Sequence, residues 1–345
     1  METGPSTETA LSARAVFFVA PRSVEIRSVE LEPEPPNREY SDEGEPVLVR
    51  SRLAAISSGT ELLFFRGRMP ERIDGETLAA LGETAGYPLA YGYMNVGVTT
   101  RGERVFAFQP HQDRFRCNRE ELVPIPDDLR DEDAVLLPSV ETALSIVHDA
   151  APLLGDRVAV FGLGVIGLLV CELLLRCGIR EPVAIDPIPE RRERATTLGC
   201  TCLSPSDLQL DTEISKLTEG RGLDVAVNTS GNQTALQTAI DAAAQHGTVV
   251  EASWYGSTPV QLQLGEAFHR RRLTIKSSQV SRVPPALSAR WDKPRRLQTA
   301  MELCRELRPS KHITHRFALE DAQGAFELLD TRPELVLQIV LEMPD

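Results

Sequence analysis

Two hydrophobic patterns divide the chain. Between Ala15 and about Pro126, short apolar or alternating runs such as Arg104–Phe108 are separated by proline, glycine and aspartate. Runs of this kind predict the strands of a β-rich domain. From Asp131 the apolar residues take helical spacing, and from Arg157 apolar strands alternate with helices. This alternation predicts βαβ units and a parallel sheet with helices on both faces.

The first strand of the second pattern, Arg157–Phe161, runs directly into a glycine-rich turn that a helix follows. In such a turn the first glycine permits a tight bend. The second lets the backbone approach a pyrophosphate, and the third lets the helix pack on the strand. The helix N-terminus would present free amide groups to the phosphates. The motif therefore predicts a dinucleotide site formed by Gly162, Gly164, Val165, Ile166 and Gly167.

Asp186 indicates which dinucleotide to expect. It ends the next strand, 19 residues after Gly167. A carboxylate there accepts hydrogen bonds from the adenosine ribose and repels a 2′-phosphate, so NAD is favoured over NADP. Arg191 and Arg192 follow on the next helix; they either bind a 2′-phosphate or form a solvated helix face. A later segment is expected to flank the nicotinamide ribose, and it comprises Thr229, Ser230 and Gly231.

Three segments ahead of the glycine turn carry a family resemblance: Ile56–Glu61 (ISSGTE), Pro88–Gly97 (PLAYGYMNVG) and Gly102–Val105 (GERV). They resemble the Ile-Cys-Gly-Thr-Asp, Pro-x-x-x-Gly-His-Glu-x-x-Gly and Gly-Asp-Arg-Val segments of the medium-chain dehydrogenase/reductase superfamily. The resemblance covers nearly the whole chain. It implies an α/β fold that combines a GroES-like β-rich catalytic domain with a Rossmann domain, a doubly wound parallel sheet.

The resemblance also implies a domain organisation. The GroES-like domain is expected over residues 13–135 and is completed by 283–345, whereas the Rossmann domain takes 136–282. Residues 1–12, which are polar and acidic, are expected to form a disordered tail.

The positions that bind catalytic zinc in the zinc-type members of the superfamily have changed here. Those members use a cysteine, a histidine and usually a second cysteine. In this chain Ser58 and Tyr93 occupy the first two positions, and Pro138 or Ser139 falls near the third. Because Zn²⁺ prefers nitrogen and sulfur ligands in tetrahedral geometry, we expect no metal at this site.

Two closer likenesses exist within the superfamily. Ser58–Glu61 followed by Gly67–Pro70 resembles the bacteriochlorophyllide 3-hydroxyethyl dehydrogenases. The fuller likeness is to uncharacterised zinc-free dehydrogenases of bacteria. It is carried by the segments Gly59–Leu63, Tyr91–Tyr93, Phe106–Gln112 and Leu137–Ala143.

Without zinc, side chains must accept the alcohol proton and stabilise charge on the carbonyl oxygen. Thr60 matches the family's proton-relay hydroxyl, or it caps a helix. Tyr93 is a candidate donor to an alkoxide, or a core residue. His111, in a proline-flanked loop at the expected domain edge, is a candidate general acid/base, or a loop histidine bound to backbone. Glu61 and Glu141 are alternatives or orient these groups. The candidate catalytic set is Ser58, Thr60, Tyr93, His111 and Glu141.

The composition of the chain argues against some classes of binding partner. The formal net charge of −13 argues against nucleic acid and anionic membranes, which require a basic surface. The longest apolar run is interrupted by Glu172 and is too short to span a bilayer. Six cysteines form no CxxC pair, and the N-terminus lacks the features of a signal peptide, so a cytoplasmic protein is expected.

Together these features predict a zinc-independent oxidoreductase that transfers a hydride between NAD(H) and a secondary alcohol or ketone, a small molecule. By analogy with the superfamily we expect a homodimer. Two alternatives remain at this point. One is a zinc-free NAD(P)H-dependent reductase of enones or quinones, and the other is a dinucleotide-binding protein without turnover.

Overall fold

The computed structural model describes residues 11–31, 46–70, 86–207 and 209–344, which form two compact units. The first unit contains the described residues up to Gly67, those from 86 to 135 and those from Ile313 onward. The second contains residues 68–70 and 136–312. The expected tail over 1–12 lies mostly outside the described residues, but Ser12 already pairs with Glu30 in a strand.

The described residues of the first unit form ten strands and three α-helices. The strands are β1 (Ser12–Ala20), β2 (Ser23–Glu30), β3 (Pro46–Ile56), β4 (Leu89–Ala90), β5 (Asn95–Thr99), β6 (Arg104–Ala107), β7 (Arg114–Asn118), β8 (Leu122–Pro124), β15 (Ile313–Ala318) and β16 (Gln338–Glu342). The helices are α1 (Thr60–Phe65), α2 (Asp131–Ala134) and α10 (Ala322–Thr331).

These strands form two sheets. One has the order β2-β1-β4, and the other has the order β15-β16-β3-β5-β6-β8, with β7 paired to β3. The pairing is antiparallel except between β15 and β16. Alternating apolar residues bury one face of each long strand, as the sequence pattern predicts for a β-rich domain.

The second unit is a parallel α/β sheet. Its strands are β9 (Val158–Phe161), β10 (Val183–Ile185), β11 (Thr201–Leu203), β12 (Leu223–Asn228), β13 (Ala243–Glu251) and β14 (Thr274–Ser277). Its helices are α3 (Leu137–Ala150), α4 (Val165–Arg176), α5 (Pro189–Leu198), α6 (Leu210–Leu217), α7 (Gln233–Ala242), α8 (Ala267–Arg270) and α9 (Lys293–Leu307).

The strand order β11-β10-β9-β12-β13-β14 is that of a doubly wound Rossmann sheet, because the chain moves outward in one direction from β9 and then returns to its other side at β12. All its pairings are parallel. The predicted parallel sheet is therefore confirmed. Among the described residues, no helix has both the length and the apolar character needed to cross a membrane.

The return to the first unit begins later than the sequence predicted. Residues 283–312 were expected to complete the first unit, but they belong to the second. The cause is α9, whose Arg296 side chain is 1% exposed and donates from Nε to Oε1 of Glu141 in α3 at 3.0 Å. This buried ion pair between two helices fixes α9 in the second unit.

Candidate functional site

The glycine turn between β9 and α4 is shaped by close backbone contacts. Gly162 has a φ of +92°, and a Cβ there would lie 2.7 Å from Cα of Ser230. A Cβ on Gly167 would lie 1.9 Å from the carbonyl oxygen of Gly162. By contrast, a Cβ on Gly164 would meet nothing within 4 Å. The turn is thus closed at its first and third glycines and open at its second, as a pyrophosphate cradle requires.

The N-terminus of α4 faces this opening. Gly164 is the N-cap residue, and no side chain caps the helix. The first amide groups of an uncapped helix carry a partial positive charge and lack intrahelical partners. Val165 and Ile166 therefore present amide groups suited to phosphate oxygens, and the turn fits the dinucleotide predicted from the sequence.

Asp186 directly follows β10 and is 3% exposed. Its Oδ2 accepts a hydrogen bond from the amide of Leu163 at 2.7 Å, and its Oδ1 accepts one from the amide of Ile188 at 2.8 Å. Arg191 and Arg192, the two arginines considered in the sequence analysis, lie close to Asp186. Nη1 of Arg191 is 3.9 Å from Oδ2 of Asp186, and Nη1 of Arg192 donates to the Asp186 carbonyl at 2.7 Å. The carboxylate is held against the glycine turn.

The predicted segment 229–231 follows β12, next to the turn. Oγ1 of Thr229 donates to the carbonyl of Gly162 at 2.8 Å. Oγ of Ser230 donates to Oδ1 of Asn228 at 2.6 Å, and the amide of Gly231 donates to Oγ of Ser253 at 2.9 Å. The structure therefore brings together the glycine turn, Asp186 and this segment along the carboxyl edge of the sheet.

In the first unit, Tyr93 and Thr60 form one hydroxyl cluster. The side chains of Thr60 and Ser57 both hydrogen-bond to the Tyr93 phenol. Burial, with the nearby charge of Glu61, raises the pKa of Tyr93 to about 12, and the two hydroxyls only partly oppose this. The phenol consequently stays protonated at neutral pH and is a hydrogen-bond donor. Ser58 lies on the same turn and is exposed.

Thr60 does not cap the helix that it begins. The N-cap of α1 is Gly59, and no side chain accepts a hydrogen bond from the first turn. The alternative of a purely structural cap is therefore wrong, because the Thr60 hydroxyl is bound to Tyr93 instead.

His111 is not at an edge, contrary to the sequence prediction. Its side chain and that of Glu61 are both 0% exposed, and Nε2 of His111 lies 2.6 Å from Oε2 of Glu61. The other Glu61 oxygen accepts from the Ser57 amide at 3.0 Å. Gly92 leaves room for the ring, since a Cβ there would lie 3.0 Å from two ring carbons. His111 is thus enclosed behind the hydroxyl cluster.

Glu141 lies on α3 of the second unit, where its carboxylate binds the buried Arg296. Burial raises the pKa of Glu141, and Arg296 opposes that rise. This ion pair gives Glu141 a structural role that the sequence pattern could not reveal.

The residues at the family's zinc positions are poor donors for zinc. Ser58 offers a hydroxyl, and Tyr93 offers a phenol whose pKa is raised to about 12. Over the described ranges, no three histidine, cysteine, aspartate or glutamate side chains lie close enough together to hold a metal ion. The donor set does not fit the tetrahedral nitrogen and sulfur site that zinc prefers.

Sequence reasoning missed two polar residues, Asn228 and Glu251, which end β12 and β13. Nδ2 of Asn228 donates to Oε2 of Glu251 at 2.6 Å. Ligands of doubly wound sheets bind beyond the carboxyl ends of the strands, so the last residue of each predicted strand was the signal that could have found them.

Comparison with known proteins agrees with this architecture. The family model described as zinc-binding dehydrogenase matches residues 165–301. D-guloside 3-dehydrogenase of Escherichia coli K12 is 29% identical over 292 residues, which cover 77% of this chain and 83% of that protein.

Two solved structures share the fold. The 2R,3R-butanediol dehydrogenase of Bacillus subtilis superposes with a TM-score of 0.77 at 22% identity and covers 97% of this chain and 100% of its own. An alcohol dehydrogenase of Escherichia coli CFT073 in complex with NADH gives a TM-score of 0.75 at 18% identity, over 96% of this chain and 99% of that one. Together these similarities support an alcohol dehydrogenase-like oxidoreductase of the medium-chain dehydrogenase/reductase superfamily.

Proposed function

We propose that the protein is a zinc-independent, NAD(H)-dependent dehydrogenase that interconverts a secondary alcohol and a ketone. One observation carries the proposal: the Asp186 carboxylate is fixed against the open glycine turn by the amides of Leu163 and Ile188. A negative charge held there accepts ribose hydroxyls and repels the 2′-phosphate of NADP.

Residues of the second unit would hold the cofactor. The open side of Gly164 and the amides of Val165 and Ile166 suit the pyrophosphate, Asp186 suits the adenosine ribose, and the segment 229–231 suits the nicotinamide ribose. When bound, NAD supplies the hydride acceptor and NADH the hydride donor.

Residues of the first unit would manage the proton. The Tyr93 phenol, protonated at neutral pH, can donate a hydrogen bond to a carbonyl oxygen on which negative charge develops. The Thr60 hydroxyl, hydrogen-bonded to Tyr93, continues the proton path from the phenol. Glu61 and His111 lie behind this pair and orient it, since Glu61 binds both His111 and the Ser57 amide. We thus assign His111 a positioning role, not direct contact with substrate.

Zinc independence rests on the chemistry of Ser58 and Tyr93. The family model called zinc-binding dehydrogenase matches only residues 165–301 and so does not include either position. A serine hydroxyl and a protonated phenol are weak ligands compared with the thiolate and imidazole that zinc selects. In this proposal the Tyr93 hydroxyl takes over the polarising role that the metal has in the zinc-type enzymes.

The names of two relatives support a substrate class. D-guloside 3-dehydrogenase and 2R,3R-butanediol dehydrogenase are both named for molecules with secondary hydroxyl groups. A polyol or sugar derivative is therefore the first class to assay. Asp186 disfavours the enone or quinone reductase alternative, because enzymes of that kind usually use NADPH. The homodimer stays a prediction.

The test combines cofactor titration, metal analysis and turnover. We expect NADH to bind at least tenfold more tightly than NADPH by fluorescence, and Asp186→Asn to reduce that preference. Asp211→Asn, at an exposed position on α6, is the control and should leave it unchanged. The purified protein should oxidise a secondary alcohol without bound zinc. Tighter binding of NADPH, or activity that requires stoichiometric zinc, would refute the proposal.

A further inference from the structure

A buried polar network links the ends of β12 and β13. Asn228, which is 0% exposed, donates from Nδ2 to Oε2 of Glu251 at 2.6 Å and to the Tyr255 hydroxyl at 3.3 Å. The Tyr255 hydroxyl in turn donates to the same Glu251 oxygen at 3.1 Å. The amide of Ser253 donates to Oε1 of Glu251 at 2.7 Å. The carboxylate thus receives three hydrogen bonds.

All three hydrogen bonds are donated to the Glu251 carboxylate, which is the arrangement of an acceptor-only, charged group. Tyr255 is not a counter-ion for the carboxylate. Burial and the neighbouring Glu251 raise the pKa of Tyr255, so its phenol stays neutral and acts as a hydrogen-bond donor. Among the described residues its hydrogen-bond partners are Asn228, Ser253 and Tyr255, and none of them is a cation. Glu251 therefore presents a fixed negative charge.

The network lies on the nicotinamide side of the sheet. In the order β11-β10-β9-β12-β13-β14, Asp186 follows β10 on one side of β9, whereas Asn228 and Glu251 end β12 and β13 on the other. A dinucleotide bound at the switch point between β9 and β12 extends from one side to the other. Asn228 also binds Ser230, in the segment suited to the nicotinamide ribose.

We propose that Glu251 determines the redox-state preference of the cofactor site, because its carboxylate favours the cationic nicotinamide of NAD⁺ over the neutral ring of NADH. The inference rests on the proposed NAD(H) site and extends it. The attraction acts on one oxidation state alone, since the rest of the dinucleotide is the same in both. Asn228 and Tyr255 position the carboxylate and carry no charge themselves.

The experiment measures dissociation constants for NAD⁺ by calorimetry and for NADH by fluorescence in the full chain. Glu251→Gln should raise the dissociation constant of NAD⁺ about tenfold and change that of NADH less than about threefold. This change in the ratio of the two constants corresponds to a modest charge interaction. Glu251→Asp keeps the charge and should keep the ratio. Tyr255→Phe removes a hydrogen bond but no charge, so it should shift both constants in parallel.

Two results would overturn the inference but not the proposed function. One is a Glu251→Gln variant that binds both forms of the cofactor and retains the wild-type ratio of dissociation constants. The other is a Glu251→Asp variant that loses this ratio as fully as the glutamine variant does. Failure of the wild-type protein to bind either form would instead overturn the proposed function, and the inference with it. If Glu251→Gln does not fold, Glu251→Ala provides the neutral variant, and retention of the wild-type ratio by that variant would overturn the inference.

Discussion

Nε2 of His111 lies 2.6 Å from Oε2 of Glu61, and neither side chain is exposed to solvent. The two residues are 50 positions apart in the chain, and the pairing connects the start of α1 with the loop before β7. The amide of Val16 donates to the His111 carbonyl at 2.9 Å, which ties the same loop to β1. The pair therefore joins three parts of the first unit beneath the Tyr93 cluster.

Breaking this pair should destabilise the first unit. Glu61→Ala leaves the His111 ring and the Ser57 amide without their partner in a buried site, and a buried polar group left unsatisfied costs about 1–3 kcal/mol. We expect the free energy of unfolding to fall by that amount, measured by urea denaturation with far-UV circular dichroism. Both tryptophans, Trp254 and Trp291, lie in the second unit, so their emission reports separately on that unit.

The control for Glu61→Ala is an exposed ion pair of the same unit. Nη1 of Arg316 lies 2.9 Å from Oε1 of Glu342, and both side chains are about half exposed. Glu342→Ala should cost less than about 1 kcal/mol, because exposed pairs contribute little. Equal losses in the two variants would contradict a structural role for the buried pair.

Loss of the Tyr93 hydroxyl should reduce turnover without loss of the fold. Tyr93→Phe removes the donor expected to stabilise charge on the substrate oxygen, and removal of one such donor lowers kcat about 10²-fold or more. Since burial raises the pKa of Tyr93 to about 12, the kcat profile should pass the ordinary tyrosine pKa of about 10 without a tyrosine ionisation.

Tyr91 offers a matched control for that variant. It is two residues away and fully buried, and its hydroxyl has no hydrogen-bond partner among the described residues. Removal of an unsatisfied buried hydroxyl is close to neutral or stabilising. Tyr91→Phe should therefore keep kcat near the wild-type value, and a loss equal to that of Tyr93→Phe would remove Tyr93 from the mechanism.

What the sequence could predict depended on how far apart the partners lie in the chain. Gly162, Gly164, Gly167 and Asp186 occupy one βαβ unit, so their spacing alone predicts their arrangement. The pairs His111–Glu61 and Glu141–Arg296 are 50 and 155 residues apart, and no local pattern records such partners. His111 was therefore expected at an edge and Glu141 among the catalytic candidates.

Partners that are distant in sequence also determine where the chain returns to the first unit. Helix α9 spans Lys293–Leu307, and its assignment to a unit depends on the buried Arg296 contact with α3. From sequence alone, a single arginine in an amphipathic helix is interpreted as a surface residue, because arginine is rarely fully buried unless it is paired.

The glycine turn allows stability and cofactor binding to be separated. A Cβ on Gly164 would meet nothing within 4 Å, so Gly164→Ala should leave the melting temperature unchanged. The same substitution should weaken NADH binding about tenfold or more, because the methyl group would occupy the position proposed for the pyrophosphate. A Cβ on Gly167 would lie 1.9 Å from backbone oxygen, so Gly167→Ala should also destabilise the fold, by about 1–3 kcal/mol. Undiminished NADH binding by a folded Gly164→Ala variant would contradict the proposed pyrophosphate position.

The Glu141–Arg296 pair gives a pH-dependent prediction for the second unit. Burial raises the pKa of Glu141 above its unfolded value, and Arg296 opposes the rise. For a raised pKa, the stabilising contribution is present below the unfolded pKa and is lost as pH rises through the folded value. The free energy of unfolding of the wild-type protein, relative to that of Glu141→Gln, should therefore decrease as the pH rises above the ordinary glutamate pKa of about 4.

Tryptophan emission measures this difference in the correct unit. The Trp291 ring lies 4.3 Å from the guanidinium carbon of Arg295, next to Arg296, and 4.5 Å from the His148 ring of α3. Urea titrations of both proteins at several pH values, followed at Trp291 in a Trp254→Phe background, give the two free energies. His148 is common to both proteins, so its own titration cancels in the comparison to first order. A difference that increases with pH would mean that Arg296 outweighs burial, and that the ion pair stabilises the charged carboxylate.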